Sequence, residues 1–159
     1  MIRLHASCVA IAGEAVLLRG PSGAGKSDLA LRLIEAGARL VADDQTMLTR
    51  KHGRLVAAAP ETIHGLIEIR GLGPVAMIPA PPTPVALLID LVAFTDVPRL
   101  PEPYFETLLD IALPVLRLDA FTASAAIKVK WALARAAAGR LFEPAEAHVA
   151  DPEKTRQNR

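Results

Sequence analysis

Cysteine is almost missing from this sequence, with one residue, Cys8, in 159. That excludes an intrachain disulfide, and a cytoplasmic setting is the simplest one that fits. Cys8 stands in an apolar stretch, which reads as a buried structural thiol rather than a reactive one. An excess of charge of either sign is also missing. The 18 Lys and Arg against 17 Asp and Glu leave a net charge of +1. The basic residues are scattered, so the chain has no electrostatic footprint for nucleic acid. No apolar run reaches the length that spans a bilayer. Nor does the chain open with the basic, apolar and small-residue pattern of a secretory signal. The expectation is a cytoplasmic protein with neither a nucleic-acid nor a membrane partner. What is present is 52% hydrophobic and 22% charged residues, enough to pack one domain.

Along the chain, residues 4–19 read as a hairpin in which Val9 and Ile11, then Val16, Leu17 and Leu18, flank a turn at Gly13-Glu14. A helix over 26–36 follows, with Leu29, Ala30, Leu33 and Ile34 at helical spacing and Gly37 ending it. Leu40-Val41-Ala42 is a short buried strand that delivers Asp43 and Asp44. Two short strands flank a turn at His52-Gly53, and 66–70 is a strand running into Gly71-Leu72-Gly73. Residues 79–84 (PAPPTP) form a stiff connection, because proline fixes its own backbone and restricts its predecessor. Further strands are expected over 85–91 and 111–118, with a proline-rich loop over 98–103 between them. An alanine-rich helix spans 122–138, with Trp131 in the core and Lys128, Lys130 and Arg135 on its solvated face. Residues 1–143 therefore make one α/β domain, rich in strands with few helices. Residues 144–159 read as a polar, disordered tail.

Residues 20–27, Gly20-Pro21-Ser22-Gly23-Ala24-Gly25-Lys26-Ser27, fit G-x-x-x-x-G-K-[ST], the P-loop pattern. The glycines let several backbone N–H groups turn inward onto phosphate oxygens. The helix that starts near Lys26 aims its positive end at the same place. Lys26 supplies a cation for the β- and γ-phosphates, and the Ser27 hydroxyl is a hard oxygen suited to magnesium. A chance match in a chain of this length occurs on the order of once in a hundred. An apolar strand before the loop and an amphipathic helix after it strengthen the reading. Nucleotide binding with Mg2+ is expected, although no base-reading motif chooses ATP over another donor.

Asp43-Asp44, behind a short strand, could hold the metal or take a proton from an attacking hydroxyl. From the pattern alone, a turn-forming Asp pair is equally good. His5 on its own reads as a packing or strand-edge histidine, and Glu68 as an outward-facing strand residue. His52 and His148 read as solvent-facing. His64 reads as structural, since no nearby cysteine or histidine completes a metal set. Arg70 either binds phosphate or orders its loop.

Taken together, His5, the P-loop, LVADD (40–44) and LIEIRGLG (66–73) resemble, in order and spacing, the HPr kinase/phosphorylase family. The EIRGLG stretch is close to that family's signature and is more specific than the P-loop. The resemblance runs over roughly residues 4–142 and corresponds to the catalytic domain alone, so a short-form member is expected. It implies a P-loop kinase domain related to phosphoenolpyruvate carboxykinase, and ATP and Mg2+ as cofactors. It also implies an HPr-like phosphocarrier protein as partner, phosphorylated on serine, and a homo-oligomer, a hexamer by family precedent. His5 matches a catalytic histidine near the reacting phosphate, and Lys26 the lysine that neutralises the transferred group. Asp44 matches the residue that accepts a proton in phosphorylation and donates it in phosphorolysis, with Asp43 in support. Ser27 and Glu68 match the magnesium ligands, and Arg99 is the best match to a catalytic arginine.

The sequence departs from the family late in the domain. A Pro-x-Arg-Pro-Gly-Arg-Asn-like run associated with phosphorolysis is here Pro114-Val115-Leu116-Arg117-Leu118-Asp119. That weakens the reverse reaction more than the forward one. A small-molecule kinase and a nucleotide-responsive regulatory module are the competing readings.

Overall fold

The computed structural model describes residues 1–144. The tail expected over 144–159, His148 included, lies outside the described residues apart from Pro144.

Alternation of side chains about a strand explains most of the architecture. In β2 (Ala6–Ile11) and β3 (Glu14–Arg19), which pair antiparallel, Val9, Val16 and Leu18 point to one face of the sheet. Cys8, Ala15 and Leu17 point to the other face. Both faces are covered, so these strands are apolar on both sides and Leu17, Leu18, Val9 and Cys8 are fully buried. The turn between them falls at Ala12-Gly13, with φ 51 and φ 80, one residue earlier than the sequence suggests. Paired positive φ values suit the twist of a two-residue hairpin.

The chain then forms α1 (Lys26–Glu35), β4 (Arg39–Ala42), β5 (Thr46–Lys51) and β6 (Arg54–Ala58). Next come β7 (Leu66–Ile69), β8 (Gly73–Ala76) and β9 (Thr83–Leu91). The last elements are β10 (Phe105–Leu108), β11 (Ile111–Leu118) and α2 (Ala125–Ala137). A short opening strand, β1 (Ile2–Leu4), pairs with β5. The main sheet has nine strands in the order β1-β5-β6-β9-β3-β2-β4, with β11 also on β9 and β10 on β11. The β7-β8 hairpin is a separate small sheet.

Strand β9 is the hinge of this arrangement. Its first residues, Thr83 and Pro84, pair with β6, and its later residues 88–91 pair with β11. The PAPPTP connection is therefore shorter than expected, because its last two residues open the strand, where a proline is tolerated. One face of the sheet is packed by α1 and α2 through Leu29, Leu33, Val129 and Leu133. Each fully buried leucine of this kind contributes about 1.5–3 kcal/mol.

Trp131 does not join that core and is 70% exposed. The helix buries Val129 and Leu133, and a residue two positions from each lies about 200° round the axis. Helix α2 begins at Ala125 rather than 122, and Lys128 and Lys130 are exposed as expected.

Direction matters most for function. Strands β9 and β11 run parallel to β3, and β4 does too, since β2 is antiparallel to both β3 and β4. The carboxyl ends of β4, β3, β9 and β11 therefore meet along one edge, together with the start of β2. In open α/β sheets, that edge is where ligands bind.

Candidate phosphoryl-transfer site

Residues 20–27 leave the carboxyl end of β3 and enter α1 at that edge. Gly25 is the residue before the helix, at φ 93, a backbone conformation open to glycine at little cost. Gly20 is needed for closeness rather than for its angle. A Cβ there would lie 2.8 Å from Ala24 Cβ and 3.3 Å from Leu91 O. The loop closes with Ala24 N donating to Pro21 O at 3.0 Å. Lys26 is buried, and its Nζ donates to Gly20 O at 2.7 Å and Pro21 O at 3.2 Å. The ammonium is thus held inside the curve of the loop.

Asp43 is the buried knot of the site. Its Oδ1 accepts from Ser27 Oγ at 2.7 Å and from Ser7 Oγ at 2.9 Å, and its Oδ2 accepts from Glu68 N at 3.0 Å. One carboxylate thereby ties together α1, β2 and β7. Ser7 is fully buried and also accepts from Asp44 N at 3.0 Å. It escaped the sequence reading, and the only available signal was its place two residues after His5, on the same side of the extended chain.

Asp44 faces the other way. It has φ 65, in the left-handed region that Asp and Asn tolerate better than most residues. Its Oδ1 lies 2.7 Å from His5 Nε2 and 3.8 Å from Lys26 Nζ. With the proton on Nε2, His5 donates a charge-assisted bond to this carboxylate. The β7-β8 hairpin forms the opposite wall of the cleft. The cleft encloses about 730 Å³, and Lys26, Ser27, Asp43, Asp44, Glu68 and Arg70 are among its lining residues.

The structure thus gathers His5, Lys26, Ser27, Asp43, Asp44 and Glu68 into one place. Arg99 is exposed in the loop after the 3-10 turn Phe94–Asp96 and is not among the cleft-lining residues. Arg70, the cation whose role the sequence left even, lines the cleft instead.

The donor chemistry suits magnesium. Ser27 and the adjoining carboxylates offer hard oxygens, and Mg2+ is held by one or two carboxylates plus substrate phosphates rather than by a full protein cage. Among the described residues, no group of three or more His, Cys, Asp or Glu is placed to hold a metal by itself.

A second cluster braces the root of the P-loop, and the sequence did not reveal it. Arg19, the residue before Gly20, donates from Nε and Nη2 to Asp90 at 2.6 and 3.0 Å. It donates from Nη1 and Nη2 to Glu106 at 2.6 and 3.0 Å. Hydrogen bonding to Asp90 and then Glu106 pushes the pKa of the guanidinium upward against the opposing effect of burial. The fork geometry of arginine matches both carboxylates at once.

A loop of P-loop sequence at the carboxyl edge of a mixed sheet, with an aspartate pair beside it, defines a strand-rich P-loop α/β protein. Comparison with known proteins narrows the class. The family described as HPr Serine kinase C-terminal domain matches residues 1–79. HPr kinase/phosphorylase of Clostridium tetani is 45% identical over 71 residues, 45% of this chain and 23% of that protein. The protein of the same name from Halalkalibacterium halodurans is 51% identical over 71 residues, 44% of this chain and 23% of its own length. The structure of the Hpr(Ser) kinase/phosphatase from Coxiella burnetii superposes with a TM-score of 0.73 at 28% identity. That match covers 85% of this chain and 95% of the Coxiella chain. The chain belongs to the HPr serine kinase family, by its C-terminal domain. It spans 23% of the length of the two curated relatives named above.

Proposed function

We propose that this protein transfers the terminal phosphoryl group of ATP to a serine hydroxyl of HPr or an HPr-like phosphocarrier protein. The observation that carries this reading is the position of Asp44. Its carboxylate sits 2.7 Å from His5 Nε2 and 3.8 Å from Lys26 Nζ, between a group that can orient it and the cation of the phosphate cradle. Phosphoryl transfer asks for little covalent help. It needs positioned phosphates, counter-charge and one group to receive the proton of the attacking hydroxyl.

Residues 20–27 hold the phosphates through backbone N–H groups and Lys26. Ser27, Asp43 and Glu68 are the residues that would hold Mg2+, which supplies charge neutralisation across the phosphates. Asp44 accepts the serine proton, and His5 fixes the orientation of the Asp44 carboxylate. Arg70, at the cleft wall, supplies further counter-charge, the role the family resemblance assigns to Arg99. In the reverse direction Asp44 returns the proton as inorganic phosphate attacks the phosphoserine, giving pyrophosphate. This reading places the protein in the cytoplasm, as a homo-oligomer.

The test is incubation of the purified protein with labelled ATP, Mg2+ and an HPr-type protein, scoring label on serine. Transfer is expected. Intact ATP binding with no transfer to any HPr-type partner would remove the kinase reading and favour a nucleotide-responsive module. Release of pyrophosphate from the phosphorylated partner and inorganic phosphate reports the reverse reaction.

A further inference from the structure

The phosphate half of the cleft is chemically explicit, but its far wall carries a feature that phosphate binding does not use. Phe121 lines the cleft and is its one aromatic lining residue, yet the residue is 67% exposed. Leaving a phenyl ring in water forgoes the gain that burial would bring. The backbone nevertheless fixes it there. Phe121 N donates to Asp119 Oδ1 at 2.9 Å. Arg32 of α1 donates to the carbonyls on either side, Ala120 O and Thr122 O. Thr122 Oγ1 donates to Asp119 O at 3.2 Å. The ring edge rests against the P-loop, since a Cβ on Gly25 would stand 3.1 Å from Phe121 Cζ. An exposed aromatic held by this many polar contacts, in a loop whose Ala120 is buried, is a preorganised surface.

The order of strands says which part of a ligand would reach it. Asp44 follows β4, two strands from β3 on one side, through β2. Phe121 follows β11, two strands from β3 on the other side, through β9. A triphosphate seated on the loop after β3 with its terminal phosphoryl group at Asp44 therefore directs its nucleoside end toward Phe121. Two strand spacings, about 10 Å, separate the loop's root from that end.

We propose that Phe121 is the platform on which the base of the bound nucleotide stacks. This rests on the reading of residues 20–27 as a nucleotide cradle and adds to it the recognition of the base. Stacking uses the π-face that every base has, so the platform favours nucleotides over bare polyphosphate without choosing adenine over guanine. That agrees with a sequence carrying a phosphate motif and no base-reading motif.

The experiment is calorimetric titration of the full chain with the Mg2+ complexes of ATP, GTP and inorganic tripolyphosphate, in the wild type, Phe121→Ala and Phe121→Tyr. In the wild type ATP and GTP are expected to bind more tightly than tripolyphosphate. Phe121→Ala should weaken both nucleotides roughly 5- to 150-fold, the range that base–aromatic stacking gives, and leave tripolyphosphate unchanged. Phe121→Tyr should restore nucleotide affinity. Phe121→Trp in a Trp131→Phe background should be quenched by ATP and not by tripolyphosphate. An unchanged ratio of ATP to tripolyphosphate affinity in Phe121→Ala overturns the platform while leaving the phosphate cradle standing. Failure of the wild type to bind either ligand overturns both.

Discussion

Ser27 donates its hydroxyl hydrogen to Asp43 Oδ1 across 2.7 Å, which ties the first turn of the P-loop helix to the end of β4. Asp43 also accepts from Ser7 and from the backbone of Glu68, so three elements of the cleft depend on one buried carboxylate. Asp43→Asn replaces one acceptor oxygen by a donor. Either the Glu68 N–H, at the Oδ2 position, or both hydroxyls, which share Oδ1, then face an N–H2 group. An unsatisfied buried donor costs about 1–3 kcal/mol. In a chain of this size each kcal/mol lowers Tm by about 2–4 °C. A thermal melt is expected to show a drop of that order. An unchanged melting temperature would mean that the knot is not structurally important.

Asp44 offers a cleaner separation of fold from chemistry. Its φ of 65 is one that asparagine adopts readily, so Asp44→Asn imposes no new backbone strain. Nucleotide affinity is expected to hold. Turnover with an HPr-type acceptor should fall by roughly two orders of magnitude, in line with the loss of an acid–base group. Near-normal turnover in steady-state kinetics would take Asp44 out of the mechanism.

Much of this was legible in the sequence because the strong signals are local. The P-loop glycines, the helical spacing of Leu29 and Leu33, and the apolar run of β9 each state their structure within a dozen residues. What escaped is contact made at a distance. Strands β1 and β10 have three or four residues each, too few for a period to show, and each pairs with a longer strand, β5 or β11, that templates it. Ser7 reads as any strand serine until Asp43 and Asp44 N are seen on either side of its hydroxyl. Arg19 reads as a strand-end charge until β9 and β10 bring Asp90 and Glu106 to it across 71 and 87 residues. Trp131 failed for a different reason. An aromatic on a helix suggests core, but only the neighbours on the sheet decide which face of α2 is buried.

The Arg19 brace separates electrostatics from packing. Arg19→Ala leaves two partly buried carboxylates, Asp90 and Glu106, facing each other without their cation. Breaking such a pair costs more than the pair itself contributes, and about 1–3 kcal/mol of stability should go, since these groups keep some solvent. Lysine keeps the charge but not the fork, so Arg19→Lys should fall between. The triple variant Arg19→Ala, Asp90→Ala, Glu106→Ala should be more stable than Arg19→Ala alone. Urea titration checks the order, and a triple variant less stable than the single one would show that the brace acts by packing.

Cys8 gives the fold a pH dependence with a definite sign. The thiol is fully buried, and burial pushes its pKa upward, because the thiolate would have to leave water. In the unfolded chain the same thiol ionises near its ordinary value of about 8.5. Below that pH both states hold the proton and Cys8 contributes no pH dependence. Above it the unfolded chain releases a proton that the folded chain keeps, so the unfolded state binds fewer protons and folding stability falls as pH rises. The slope contributed by this one group approaches about 1.4 kcal/mol per pH unit. The quantity to measure is the difference between the wild type and Cys8→Ala, in which the contributions of all other groups cancel. Urea unfolding from pH 7 to 10.5 should give parallel stability curves up to about pH 8.5, with the wild type falling more steeply above it. Alkylation by iodoacetamide should track global unfolding over the same range, because the ionised thiol exists only in the open chain. Rapid labelling of the folded protein, or parallel curves up to pH 10.5, would place the thiol in contact with water.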